Sequence, residues 1–209
     1  KSLYYSIYLK LSRRNSIDIE KYCEIHLNRH VANFAFTANI ALLMGGKIKT
    51  AEYISGRYAD ILADIYMSYA CLWFYKKNKN VKNIDKLLEY SICDYSKNIE
   101  TNMNKIFDNF PIYLMGRLMK YTTYPLGNYY NYNNDKIITE VSNIITKPSE
   151  MRNLLTDNLF ISKDVNNRLN QIARGIELFD ENKKYDTENI SLINEITQKI
   201  IKVDEYEKL

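Results

Sequence analysis

Apolar residues recur at steps of three and four along most of this chain, with few interruptions, and that period is the signature of amphipathic helices. A first long helix is expected over about 18 to 43, with Ser16 or Asp18 as N-cap and with Phe34, Ala38, Ala41 and Leu42 on its apolar side. It should stop at Gly45-Gly46, where glycine makes a left-handed C-cap cheap. "KIKT" then turns the chain, and Thr50 is the candidate N-cap of the strongest helix, about 51 to 75. Its positions Ile54, Tyr58, Ile61, Ile65, Tyr69 and Leu72 fall at steps of 4, 3, 4, 4 and 3, so one face should be buried for its whole length. A third helix spans about 84 to 108, with Leu87, Leu88, Ile92, Tyr95, Ile99, Met103 and Ile106 as its stripe. Pro111 suits the first turn of a fourth, about 111 to 122, which "YPLG" ends.

Short connections between four helices make an antiparallel bundle the economical packing. The fold expected is all-α. A leading segment covers 1 to 17, with a short helix at 2 to 12; a bundle covers 18 to 127; an arm of shorter helices covers 128 to 209. The arm opens on the polar, aromatic "NYYNYNND", continues as a helix at about 135 to 146, and has a short helix started by Pro148. Further helices fall at 165 to 179 and 188 to 203.

Composition changes this picture in three places. The 209 residues hold 3 irregularly spaced cysteines, no signal peptide and no apolar run near membrane-spanning length, which points to a reducing, cytoplasmic setting with peripheral membrane contact left open. The net charge of +4 is mild and the lysines are mixed with acids, so the footprint of a nucleic-acid binder is weak. The chain starts at Lys1 without methionine, which suggests a piece of something longer.

Candidate chemistry is sparse. Cys23, His26 and His30 stack on one helical face, but a zinc-protease helix needs a glutamate where Leu27 stands, and a structural zinc needs a fourth ligand. The better reading is a scaffold helix with two partly exposed imidazoles, a small buried thiol and no metal. Arg57, Asp60 and Asp64 form a charge row beside the apolar face of the second long helix. As a solvated stripe it is worth a few tenths of a kcal/mol per pair; Arg57 half-buried against a carboxylate or a helix C-terminus is worth more. Glu20 and Glu24 read as a solvated face. No Gly-rich phosphate loop, nucleophile with an adjacent base or catalytic carboxylate pair is present, so this is a non-catalytic helical module.

The order of three segments resembles a known family. "ANFAFTANIALLMGGKIKTAEYISGRYADILADIYMSYACLWFY", "DNFPIYLMGRLMKYTTYPLGNYY" and "ITKPSEMRNLLTDNLFI" are similar, in sequence order, to the helical C-terminal extension of bacterial long-chain acyl-CoA dehydrogenases. The positions that carry the likeness are Gly45, Gly46, Lys49, the Arg57/Asp60 helix, Phe110, Pro111, Pro125, Gly127, Asp135 and Pro148. The chain departs from the pattern after Gly127, where Asn128 and "NYNND" replace an arginine and a proline, and at Asp157 and Asn158, where an Arg-Gly pair is lost. Anion contacts made there in relatives are therefore in doubt.

The resemblance implies a parent enzyme that converts long-chain acyl-CoA to trans-2-enoyl-CoA in fatty-acid β-oxidation, using FAD and an acceptor such as electron-transfer flavoprotein. The flavin and the base belong to an upstream catalytic core. The extension then serves docking: contact with that core, with other subunits in a homo-oligomer, or with the inner membrane periphery. Tyr66, Tyr69, Trp73 and Phe74 offer apolar surface for this or fill the module's own core. Two rivals remain: an RNA-contacting module using Tyr129, Tyr130 and Tyr132 beside Lys120 and Lys136, and a membrane anchor using Lys47, Lys49, Arg57 and lysines 76, 77 and 79.

Overall fold

A computed structural model describes residues 18–125, 127, 135–147, 149–157, 159, 167–172, 174–176, 178, 179 and 181. The expected helices at 2 to 12 and 188 to 203, with Pro148, Tyr129, Tyr130 and Tyr132, lie outside them. The fold is all-α, with no strand among the described residues; besides helical residues within 168–181, where a helix is expected at 165 to 179, it has seven delimited helices. These are α1 (Ile19–Leu42), α2 (Lys47–Thr50), α3 (Glu52–Lys77), α4 (Ile84–Asp108), α5 (Tyr113–Thr123), α6 (Asp135–Thr146) and α7 (Glu150–Thr156). The chain forms two compact units, Lys1–Val141 and Ser142–Leu209.

In the first unit α3 and α4 make the main pair, α1 lies against both, and α5 packs on α4. The core collects Ile54, Ile61 and Ile65 from α3, Ile99, Met103, Ile106 and Phe107 from α4, Met119 from α5, and Phe110 and Tyr124 from the flanking turns. The period-3.6 stripes of α3 and α4 supply most of it, which is why helix positions were readable from spacing. Asn83 precedes α4 at φ +67, a left-handed conformation that asparagine tolerates.

Four local expectations need correction. Ala51, not Thr50, is the N-cap of α3, because "KIKT" closes into its own helical turn and the Thr50 hydroxyl donates back to the Lys47 carbonyl. Pro111 stands ahead of α5, whose N-cap is the extended Ile112. Tyr69 is exposed on α3 while Ser68, donating to the Asp64 carbonyl, takes the buried position. The buried face of α1 is largely polar: Cys23, His26, Arg29, His30, Asn33 and Thr37 lie on it, with Leu27 and Ala41.

In the second unit Ser149 caps α7, its hydroxyl accepting from the Arg152 backbone N–H at 3.1 Å and donating to the Ile144 carbonyl at 2.9 Å.

Candidate functional site

Two regions of the bundle hold side chains that need a physical account: the polar seam of α1 and the outer face of α3. The seam centres on Arg29, fully buried, whose guanidinium donates to the Glu100 carboxylate of α4 at 3.2 Å. The same guanidinium lies 5.0 Å from the ring centroid of Tyr124, the residue that follows α5. One cation thus ties α1, α4 and the end of α5. A charge can be kept in a core only when its partner and hydrogen bonds come with it. Burial and the Glu100 carboxylate push the Tyr124 phenol up, so it stays protonated.

His26 and His30 are buried, not partly exposed as the sequence suggests, because α1 turns their face toward the bundle rather than toward water. Burial, then Arg29, then His26 hold the His30 imidazole well below its ordinary value. Tyr22 packs on His26, ring centroids 4.4 Å apart. Cys23 shares this face, but no group of three or more His, Cys, Asp or Glu side chains is placed to hold a metal ion among the described residues. With Arg29, Glu100, His26, His30, Asn33 and Thr37 buried together, the seam is a buried polar joint between helices.

The charge row sits on the flank of α3. Arg57 is half-buried and donates to the Lys105 carbonyl at 3.2 Å, in the last turn of α4, where a cation also meets the negative end of the helix dipole. Asp60 is exposed, and Asp64 has its carboxyl raised by burial and by Asp60 and Asp94. Asp60 and Asp64 line a groove of about 400 Å³ with Asn98, Asn102 and Lys105.

The remaining family positions are turn and packing points. Gly45 holds φ +55 after α1, and Gly46 is the N-cap of α2, which contains Lys49. Phe110 is buried, Pro111 and Pro125 are exposed, Gly127 takes φ +82, and Asp135 begins α6. Gly116 was not singled out by spacing, yet a Cβ there would meet the Phe107 carbonyl oxygen at 2.3 Å. Only glycine lets α5 approach α4 this closely.

Three lysines of the bundle surface are engaged in ion pairs. Lys76 pairs with Glu20 at 3.4 Å and with Glu24, Lys79 pairs with Glu20, and Lys120 pairs with Asp108 at 3.1 Å. Glu20, held low chiefly by Lys79, and Glu24 therefore join α1 to the end of α3 rather than facing only water. No helix among the described residues is long and apolar enough to cross a membrane.

Opposite its core stripe, α3 presents Ser55, Gly56, Ala59, Leu62, Ala63, Tyr66, Met67, Ala70 and Trp73, all exposed. Leu62 is 53%, Tyr66 72% and Trp73 62% exposed. A helix apolar on both faces belongs between two partners, and here one face has none among the described residues.

No solved structure matches this chain. A family described as acyl-CoA dehydrogenase, C-terminal, bacterial type, matches residues 11–195, a span that contains both the polar seam and the open face of α3. The chain belongs to the family of bacterial-type acyl-CoA dehydrogenase C-terminal domains.

Proposed function

We propose that this chain is the helical C-terminal extension of an FAD-dependent enzyme that oxidises long-chain acyl-CoA to trans-2-enoyl-CoA in fatty-acid β-oxidation, and that the extension docks rather than catalyses. The observation that carries the docking half is the open apolar face of α3 within a family-matched domain. Burying a large side chain such as Tyr66 or Trp73 stabilises a contact by roughly 1.5 to 3 kcal/mol. On this reading the bundle of 18 to 127 makes the contact and residues 128 to 209 form an accessory arm. FAD, the acyl-CoA, the α-proton base and the route to an acceptor such as electron-transfer flavoprotein belong to an upstream catalytic core. Arg57, Asp60, Asp64 and the turn positions from Gly45 to Asp135 then serve the shape of the domain.

A membrane or RNA contact has less support, because Lys76, Lys79 and Lys120 are engaged in ion pairs within the bundle.

The isolated chain, mixed with FAD and palmitoyl-CoA and passed through gel filtration, is expected to retain no flavin and to produce no enoyl-CoA. Turnover by this chain alone contradicts the reading.

A further inference from the structure

We propose that the outer face of α3 is a self-association seam, which a second copy of this chain covers with its own α3 in antiparallel, two-fold orientation. The inference rests on the reading of that face as the docking surface and names its occupant. Written as a heptad, the exposed residues fill the two core positions without a break: Gly56, Ala63 and Ala70 at one, Ala59, Tyr66 and Trp73 at the other. Three consecutive heptads of this kind are the pattern of a helix that packs along another helix.

The order of sizes along the seam selects the orientation. The core positions of its N-terminal half, Gly56, Ala59 and Ala63, are all small, whereas those of its C-terminal half, Tyr66, Ala70 and Trp73, include both large side chains. A parallel pair would set bulk against bulk at one end and leave a gap at the other. An antiparallel pair sets Gly56 against Trp73 of the second copy and Ala63 against its Tyr66, with Ala59 against its Ala70 as a closer layer between them, so no layer sets bulk against bulk. These are also the layers in which the first core position of one antiparallel helix meets the second of the other.

Charge agrees with the same register. The pairing that puts Gly56 opposite Trp73 puts Glu52, in the first turn of α3, opposite Lys77 in the last turn of the second copy, and the two-fold axis repeats that ion pair at the other end. No other charged residue occupies a core position of the seam; Arg57, Asp60 and Asp64 lie along its margin or beyond. A surface that complements itself under a two-fold rotation is the requirement of an isologous dimer.

Sedimentation equilibrium of this chain across the micromolar range is the test, with circular dichroism confirming the fold of each variant. A dimer is expected, and Ala63→Glu or Tyr66→Glu, both at exposed positions, should weaken it at least about tenfold. Orientation is read with Cys71 and Cys93 changed to serine. Gly56→Cys alone should not cross-link, since its counterpart would lie about 25 Å away along the antiparallel helix, whereas a mixture of Gly56→Cys and Trp73→Cys chains should. A monomer throughout the range, a dimer unaffected by folded Ala63→Glu and Tyr66→Glu variants, or efficient cross-linking of Gly56→Cys with itself overturns the proposal. Such a result leaves the family assignment standing, whereas turnover by the isolated chain would strike the functional reading itself.

Discussion

Arg29, Glu100 and Tyr124 bear the tightest constraint at the level of single side chains. Glu100→Ala leaves a guanidinium in the core without its carboxylate and should cost about 3–5 kcal/mol in urea unfolding, while the apolar pair Arg29→Met with Glu100→Leu should recover most of it. His30 gives a pH test. It is neutral when folded because its imidazole is held low by burial, with Arg29 and His26 adding to the effect, while the unfolded chain takes up a proton near pH 6.5. The unfolded state binds more protons below that point, so stability is complete above about pH 6.5 and falls as the pH drops through it. His30→Asn should flatten the slope of unfolding free energy between roughly pH 6.5 and 5; an unchanged slope would assign acid sensitivity to other groups. Gly116→Ala should cost about 1–3 kcal/mol, because α5 must move off the Phe107 carbonyl. The sequence concealed this joint for a definite reason. Ser96 and Glu100 continue the stripe of Ile92 on α4 at steps of four, and Asn33 and Thr37 continue that of His30 on α1, but polar side chains at core spacing look solvated until their partner is known.

Among the elements, α3 and α4 were the most legible, because Ile54, Ile61, Ile65, Ile92, Ile99, Met103 and Ile106 obey the helical period and are buried together. Helix ends were read less well. Pro111 was expected inside a first turn and stands before α5, and Thr50 was expected to cap α3 but bonds within its own turn. Tyr69 kept the right spacing for the α3 stripe and still faces outward, donating to Asn28 at 3.1 Å. On a helix apolar on both faces, periodicity does not tell which tyrosine turns inward. Arg57 belongs at this scale, since it joins α3 to the end of α4. Arg57→Ala should lower stability by about 1 kcal/mol, the worth of one hydrogen bond to a helix end, visible as a shift in melting temperature. An unchanged midpoint would make the Arg57, Asp60 and Asp64 row a solvated stripe.

The described residues of the molecule are all-helical, and its family was legible in the order of three motif segments rather than in any one of them. Gly45-Gly46, Asn109-Phe110-Pro111 and Pro125 sit at chain turns, so motif order tracked topology even where local caps were misread. The sequence left open whether Tyr66 and Trp73 fill the core or face outward, because an apolar helix looks the same in sequence whether one or both of its faces find a partner in the domain; both are exposed. The central claim, that catalysis lies upstream and this domain serves docking, is tested most directly on the proposed parent chain, purified with and without residues 1 to 209 and titrated anaerobically with long-chain acyl-CoA while flavin absorbance is followed. The account predicts that both forms bleach on adding substrate, the shortened one with weakened assembly or thermal stability. Bleaching that requires a side chain of this domain, with assembly and stability unaffected by its removal, would contradict it.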